Sequence, residues 1–240
     1  MDIIPKKIFQ THKSIEYIKT KPKIQKAINS WRRFCPEFEY YFYTDELCDK
    51  FIKDNFDKHI YNLYKNLPLP VMKADLWRYC VIYINGGIYA DTDTICLSNP
   101  NLLINNSLLT IAPENNVHLC QWTFSAPPKS QILKTIIDLC IERLTNNVDY
   151  SNYNFIHHLT GPGLFTDGIE KYLIQNNFTI YSDKTLYSNY YPNSFLKVFN
   201  RDIFHTKMIK HLFTGQDYDG WCNERKYYYT KVNRIKISLK

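Results

Sequence analysis

The sequence predicts an α/β domain with a central, mostly parallel mixed sheet flanked by helices, and three observations carry that expectation. A β-α-β-α order opens the chain, a packed helix follows it from Val71 to Ile84, and a short apolar strand, Ile88-Tyr89-Ala90, comes straight after that helix. With 240 residues, 45% of them hydrophobic and 16% aromatic, and no repeat or low-complexity linker, the chain has the material for one buried core, and residues 1–240 are expected to form a single domain.

The segment from Ile3 to His12 reads as a buried strand ending in the polar residues Gln10, Thr11 and His12. Ile24 to Phe34 has helical periodicity, Glu37 to Tyr43 alternates as a strand, and Asp45 opens the next helix. In such a sheet the carboxyl ends of the strands form the crevice where ligands bind. Val71 to Ile84 has no Gly or Pro, follows Pro68 and Pro70, and stops at Asn85-Gly86-Gly87, so a helix of about four turns is expected. Leu76, Tyr79, Cys80 and Tyr83 share one face of it, and Trp77, Val81 and Ile82 make other sides apolar too. Asp75 and Arg78 sit three apart on this packed helix, hence side by side. A buried charge persists when it is paired or bound, so the two form either an internal ion pair or part of a ligand site.

The strand Ile88–Ala90 runs into Asp91-Thr92-Asp93. In extended chain the two carboxylates point the same way, with no neighbouring Lys or Arg to neutralise them. A cation between them, or protonation of one, relieves the repulsion, and oxygen ligands favour Mg2+ or Mn2+, which take further ligands from substrate phosphates. The alternative is a solvated acidic turn.

Residues 73–94, from Lys73-Ala-Asp-Leu-Trp-Arg78 through Gly86-Gly-Ile-Tyr-Ala-Asp91-Thr-Asp93, resemble the central motif of family-32 glycosyltransferases, a mannosyltransferase-like family carrying a DxD sequence and related to the catalytic domains of clostridial glucosylating toxins. The resemblance implies a GT-A fold of Rossmann-like type, a UDP- or GDP-sugar donor, Mn2+ or Mg2+, and retention of anomeric configuration. It implies that Asp75 and Arg78 contact the donor sugar, that Tyr89 lines the nucleotide pocket, and that Asp91 and Asp93 hold ribose and metal. Ile4-Pro-Lys-Lys-Ile-Phe-Gln-Thr11 is similar to the family's opening segment, which makes Gln10 and Thr11 candidates for nucleoside contact. His211-Leu-Phe-Thr-Gly215 followed by Gly220-Trp221 resembles the closing segment, with Gln-Asp-Tyr-Asp inserted and a Ser missing. On that resemblance His211 completes the metal shell or touches the diphosphate, and Trp221 contacts the donor. Residues 1–100 would then bind the nucleotide sugar and residues 101–240 form the acceptor side, where Thr160-Gly-Pro-Gly163 resembles an acceptor-facing loop. The acceptor expected is a glycan, a glycolipid or a protein hydroxyl.

Downstream, Ser107 to Pro113 and His118 to Ala126 read as strands, Ser130 to Leu144 as a helix capped by Ser130, and Thr160–Gly163 as a tight loop before a helix from Leu164. The seven cysteines have no CxxC spacing and read as reduced core thiols. No apolar signal core or membrane-length run is present, and the expected location is the cytoplasm. Much of the formal charge of +7 lies in the tail after Glu224, where a weak membrane-surface contact is one use; no nucleic-acid partner is expected. Two other readings compete. Ala90-Asp-Thr-Asp-Thr94 resembles the nucleophile strand of haloacid-dehalogenase phosphatases, with Asp217 and Asp219 as the acidic pair it would need, and the basic tail suits a nucleic-acid binder.

Overall fold

The computed structural model describes residues 3–212 apart from 147, 149 and 151–153. The expectations placed on Trp221, the Gly215 to Trp221 insertion, Cys222, Asp217 with Asp219 and the basic tail fall outside the described residues.

The opening follows the expected order: β1 (Lys7–Thr11), α1 (Ile15–Lys19), α2 (Pro22–Phe34), β2 (Glu39–Tyr43), then α3 (Asp45–Asn55). Thr44 caps α3 by accepting from the Leu47 amide, which leaves Asp45 in the first turn where the helix dipole favours an acid. A further helix, α4 (Lys58–Lys65), has Asp57 as its N-cap, a start signal legible in the sequence. The packed helix α5 spans Pro70–Asn85, with Pro70 at its first position. It ends at Gly86, whose φ of 64° turns the chain back into β3 (Gly87–Ala90).

Beyond β3 come β4 (Thr94–Cys96), β5 (Leu109–Ile111), β6 (Thr123–Ala126), α6 (Gln131–Thr145), α7 (Phe155–Leu159), α8 (Pro162–Gln175), β7 (Leu196–Val198) and β8 (Ile209–His211). The main sheet has the order β2-β1-β3-β6-β5-β7. β1 pairs parallel with β2 and β3, and β5 with β7, while β6 runs antiparallel to both of its neighbours. The strand expected over His118–Ala126 is confined to Thr123–Ala126, because the chain first folds back on itself: the Glu114 amide donates to the His118 carbonyl and Pro113 bridges Leu119. The helix expected from Leu164 starts at Pro162, since Pro occupies a first helical turn without losing a hydrogen bond.

One core cluster packs α5, α6 and α8 against the sheet, and α2 with the turn after it closes the other face through Trp31, Cys35 and Phe38. The six described cysteines are buried and free, as reduced core thiols would be. No helix among the described residues is long and apolar enough to cross a membrane.

Candidate active site

The site forms where β3 leaves the sheet. Its main chain is fastened first: the Asp91 amide donates to the Trp122 carbonyl at 2.8 Å, carrying the antiparallel β3–β6 pairing past the strand end. The Asp91 carbonyl then accepts from Gln10 Nε2 at 3.0 Å, Thr94 Oγ1 at 2.6 Å and the Thr94 amide at 3.1 Å. This corrects the extended geometry expected for Asp91-Thr92-Asp93, because Thr94 folds the triplet into a turn. Trp31, buried in α2, pins that turn from below through Nε1 to the Thr94 carbonyl.

The turn still brings the two carboxylates together, by way of a strand the motif alone does not show. β4 pairs with β8 in a register that sets Thr94 opposite His211, and the Leu212 amide donates to the Asp93 carbonyl at 3.0 Å. His211 Nε2 lies 3.2 Å from Asp93 Oδ1 and 4.0 Å from Asp91 Oδ2, and its ring stacks on Trp122. One ligand atom from each of Asp91, Asp93 and His211 falls within 4.8 Å of the others. The side chains of Asp91, Asp93 and His211 are 26%, 24% and 11% exposed, so an ion reaches them from solvent.

Beneath this cluster lies the pair on α5. Arg78 Nη2 is 3.0 Å from Asp75 Oδ1 and 3.5 Å from Asp91 Oδ1, and both α5 side chains are almost fully buried. Asp91 therefore has a cationic neighbour, supplied by the fold and invisible in the local sequence. Burial pushes the Asp75 carboxyl up to about 6, against the pull of Arg78 and of the Thr160 hydroxyl, which donates to Oδ2 at 3.0 Å. Burial works against the Arg78 charge, but Asp91, Tyr89 and Asp75 outweigh it and keep the guanidinium protonated. The Asp91 carboxyl is raised, mainly by burial and further by Asp93, with Arg78 and His211 opposing. For His211 burial favours the neutral ring, yet Asp93, Asp91 and Glu114 together raise its pKa.

The other sequence candidates divide by position. Gln10 is fully buried, donating to Asp91 and accepting from the Tyr40 hydroxyl at 2.7 Å. Tyr89 is also buried; its hydroxyl donates to the Asp91 carboxylate and its ring lies 4.8 Å under the Arg78 guanidinium. Thr11 stands apart from the acidic cluster, on a cavity of about 270 Å3 lined also by Asp45, Cys48, Asp49, Tyr64 and Lys73. Thr160, expected in an acceptor-facing loop, has its hydroxyl on Asp75 instead.

Three contributors escaped the sequence reading. Glu114 faces His211 and Asp91 from the turn after β5, with its carboxyl raised chiefly by burial. Gln121 Nε2 reaches Asp75 Oδ1 at 3.4 Å, and Trp122 supplies the stack for His211. Each joins the site through tertiary contact from residues 114–122, where no local pattern marks it.

The site thus sets two carboxylates at the carboxyl end of a parallel strand against a buried Asp–Arg pair, on a sheet of the kind GT-A folds have. Residues 21–110 match the family described as the glycosyltransferase sugar-binding region containing a DXD motif. It is similar to the initiation-specific alpha-1,6-mannosyltransferases of Candida albicans, 26% identical over 204 residues that cover 70% of this chain and 53% of the relative. The same-named protein of Schizosaccharomyces pombe is 30% identical over 197 residues, covering 71% and 49%. The chain thus spans about half the length of these curated relatives. Among solved structures, the PaToxG glycosyltransferase superposes with a TM-score of 0.52 at 17% identity, over 72% of this chain and 70% of that one, a likeness of fold.

Proposed function

We propose that this chain is a metal-dependent, retaining hexosyltransferase that moves a sugar from a UDP- or GDP-sugar to a hydroxyl of a glycan, glycolipid or protein. The convergence of Asp91, Asp93 and His211 is the observation that carries this reading. The mannosyltransferase names of the relatives favour mannose as the sugar.

The donor set fits a divalent cation. Two carboxylates and one imidazole are ligands that Mn2+ and Mg2+ sites accept, and repulsion between Asp91 and Asp93 is one of the effects raising the Asp91 pKa. When bound, the ion supplies Lewis-acid neutralisation of the departing diphosphate.

The chain's own residues do the positioning. Gln10, Thr94 and Trp122 hold the Asp91 main chain, and Arg78 with Tyr89 holds its carboxylate. Asp75 and Arg78 meet the donor sugar from the floor of the site, and Thr11 meets the nucleoside from the neighbouring cavity. Gln10 and Tyr89 act on the donor through Asp91, and Trp221, outside the described residues, would contact the donor. Residues 1–100 would thus hold the donor, with the acceptor entering from the side of residues 101–240. Held in this way, the acceptor oxygen bonds to the anomeric carbon on the face from which diphosphate departs, and the departing phosphate oxygen takes the acceptor proton.

The test is a screen of UDP- and GDP-sugars with and without Mn2+, reading thermal stabilisation and release of nucleoside diphosphate. One donor is expected to stabilise the protein in a metal-dependent way and to be hydrolysed slowly. A well-folded preparation that releases nucleoside diphosphate from none of them contradicts the reading.

A further inference from the structure

The positive charge of the described fold is concentrated in one short segment, the one that holds α1 and α2. Residues 13–33 contain seven Lys and Arg against a single acid, Glu16, a net charge of +6 in 21 residues. Lys13, Lys19, Lys23, Lys26, Arg32 and Arg33 are exposed, and none of these cations forms an ion pair with a described residue. Repulsion of this kind is tolerated on a surface that meets an anionic partner.

The same face is apolar at its centre. A groove of about 250 Å3 between α1, α2 and the end of the edge strand β2 is walled by Ile15, Ile18, Ile28 and Phe42, with Lys19 and Arg32 in its lining. Ile15 is 49% exposed. On α2 the lining residues Gln25, Ile28, Asn29 and Arg32 follow helical spacing, so the groove is a continuous stripe of that helix. The Arg32 guanidinium in its lining also sits 4.5 Å over the Tyr40 ring, and the Lys21 amine near α1 sits 5.0 Å over Tyr17, so cationic heads lie on apolar surface beside the groove.

We propose that this face docks on a bilayer carrying anionic phospholipid. Lys19 and Arg32 in an apolar groove, with further exposed cations on the same two helices, match headgroup phosphates lying above acyl chains, with Ile15 entering the interface. Residues 213–240 hold six Lys and Arg against three acids, so charge sets this remaining segment of the chain against the face as its occupant. The groove lies by the carboxyl ends of β1 and β2, and β3, parallel to β1, delivers Asp91 at the same edge. Docking would hold that edge near acceptors carried in the membrane. The proposal rests on charge and shape and stands apart from the transfer reading.

Flotation of the full chain tests it, with phosphatidylcholine vesicles containing roughly 30% phosphatidylserine or none, at about 0.05 M and about 0.5 M salt. Binding is expected only with phosphatidylserine and only at the lower salt. Joint Lys19→Glu, Lys23→Glu and Lys26→Glu substitution should cut the bound fraction about tenfold, and Ile15→Asp about fivefold. All four positions are exposed, and unchanged melting confirms the fold. Joint Arg225→Gln, Lys226→Gln and Lys231→Gln substitution in the tail should leave flotation intact. Equal flotation of the charge-reversed protein overturns the proposal, as does loss of flotation from the tail substitutions alone, or binding of a short RNA without binding of vesicles. Donor hydrolysis, measured on the same variants, reports separately on the transfer reading.

Discussion

Gln10, at the end of the first strand, donates its side-chain amide to the main-chain carbonyl of Asp91, 81 positions later in the sequence. The bond ties the acidic turn to the neighbouring parallel strand, so the position of Asp91 is set by the sheet.

Gln10→Leu removes that bond and leaves the Tyr40 hydroxyl without its acceptor in the interior. The expected cost is about 1–3 kcal/mol in urea unfolding. Affinity for Mn2+ should also fall by about tenfold or more, since the carboxylate loses its orientation. Calorimetric titration of both proteins checks this.

Arg78→Met strands the Asp75 carboxylate and takes the cation from beside Asp91. A loss of about 3–5 kcal/mol in unfolding free energy is expected. A double-mutant cycle with Asp75→Asn should recover part of that loss, because the stranded charge is then absent. Additive effects would show that the two side chains do not interact.

Asp75 also makes stability depend on pH. Its carboxyl is raised from the ordinary 3.8 to about 6 in the folded protein, mainly by burial. The folded state thus holds this proton more tightly than the unfolded chain, and the stability the group contributes is fully present below the ordinary value and lost as pH rises through about 6. Asp75→Asn should remove this component. Comparing urea midpoints at acidic and neutral pH should show about 2–3 kcal/mol less pH dependence in the variant.

Gly87→Ala is expected to disrupt the β1–β3 pairing. The residue has φ of 111°, and an added Cβ would lie 2.7 Å from the Lys7 carbonyl oxygen. A cost of about 2–4 kcal/mol should appear as a lowered melting temperature.

Much of this architecture was legible in the sequence because it rests on local signals. The periodicity from Val71 to Ile84, the double glycine after it and the apolar triplet before Asp91 each point to one element, and each formed. The Asp75–Arg78 contact followed from helical spacing. What stayed hidden depends on tertiary pairing. His211, which the resemblance alone pointed to, meets Asp93 because two three-residue strands align, and such short strands carry no periodic signal. The Arg78–Asp91 contact joins a helix to a turn, and Glu114, Gln121 and Trp122 arrive from a segment whose expected strand is largely a reversal of the chain. The resemblance implies nucleoside contact for Gln10 and a nucleotide-pocket wall for Tyr89; the tertiary structure adds that both place a polar atom on Asp91.

The central claim is that Asp91, Asp93 and His211 hold a divalent cation on which transfer depends. The most direct measurement is release of nucleoside diphosphate from the preferred donor, with Mn2+ or with chelator, for the wild-type chain and for Asp93→Asn. The variant should melt within a few degrees of wild type, since Asp93 lies in a partly exposed turn, while its Mn2+-dependent turnover falls about a hundredfold or more. Wild-type turnover in the variant, or turnover that chelation leaves unchanged, contradicts the claim.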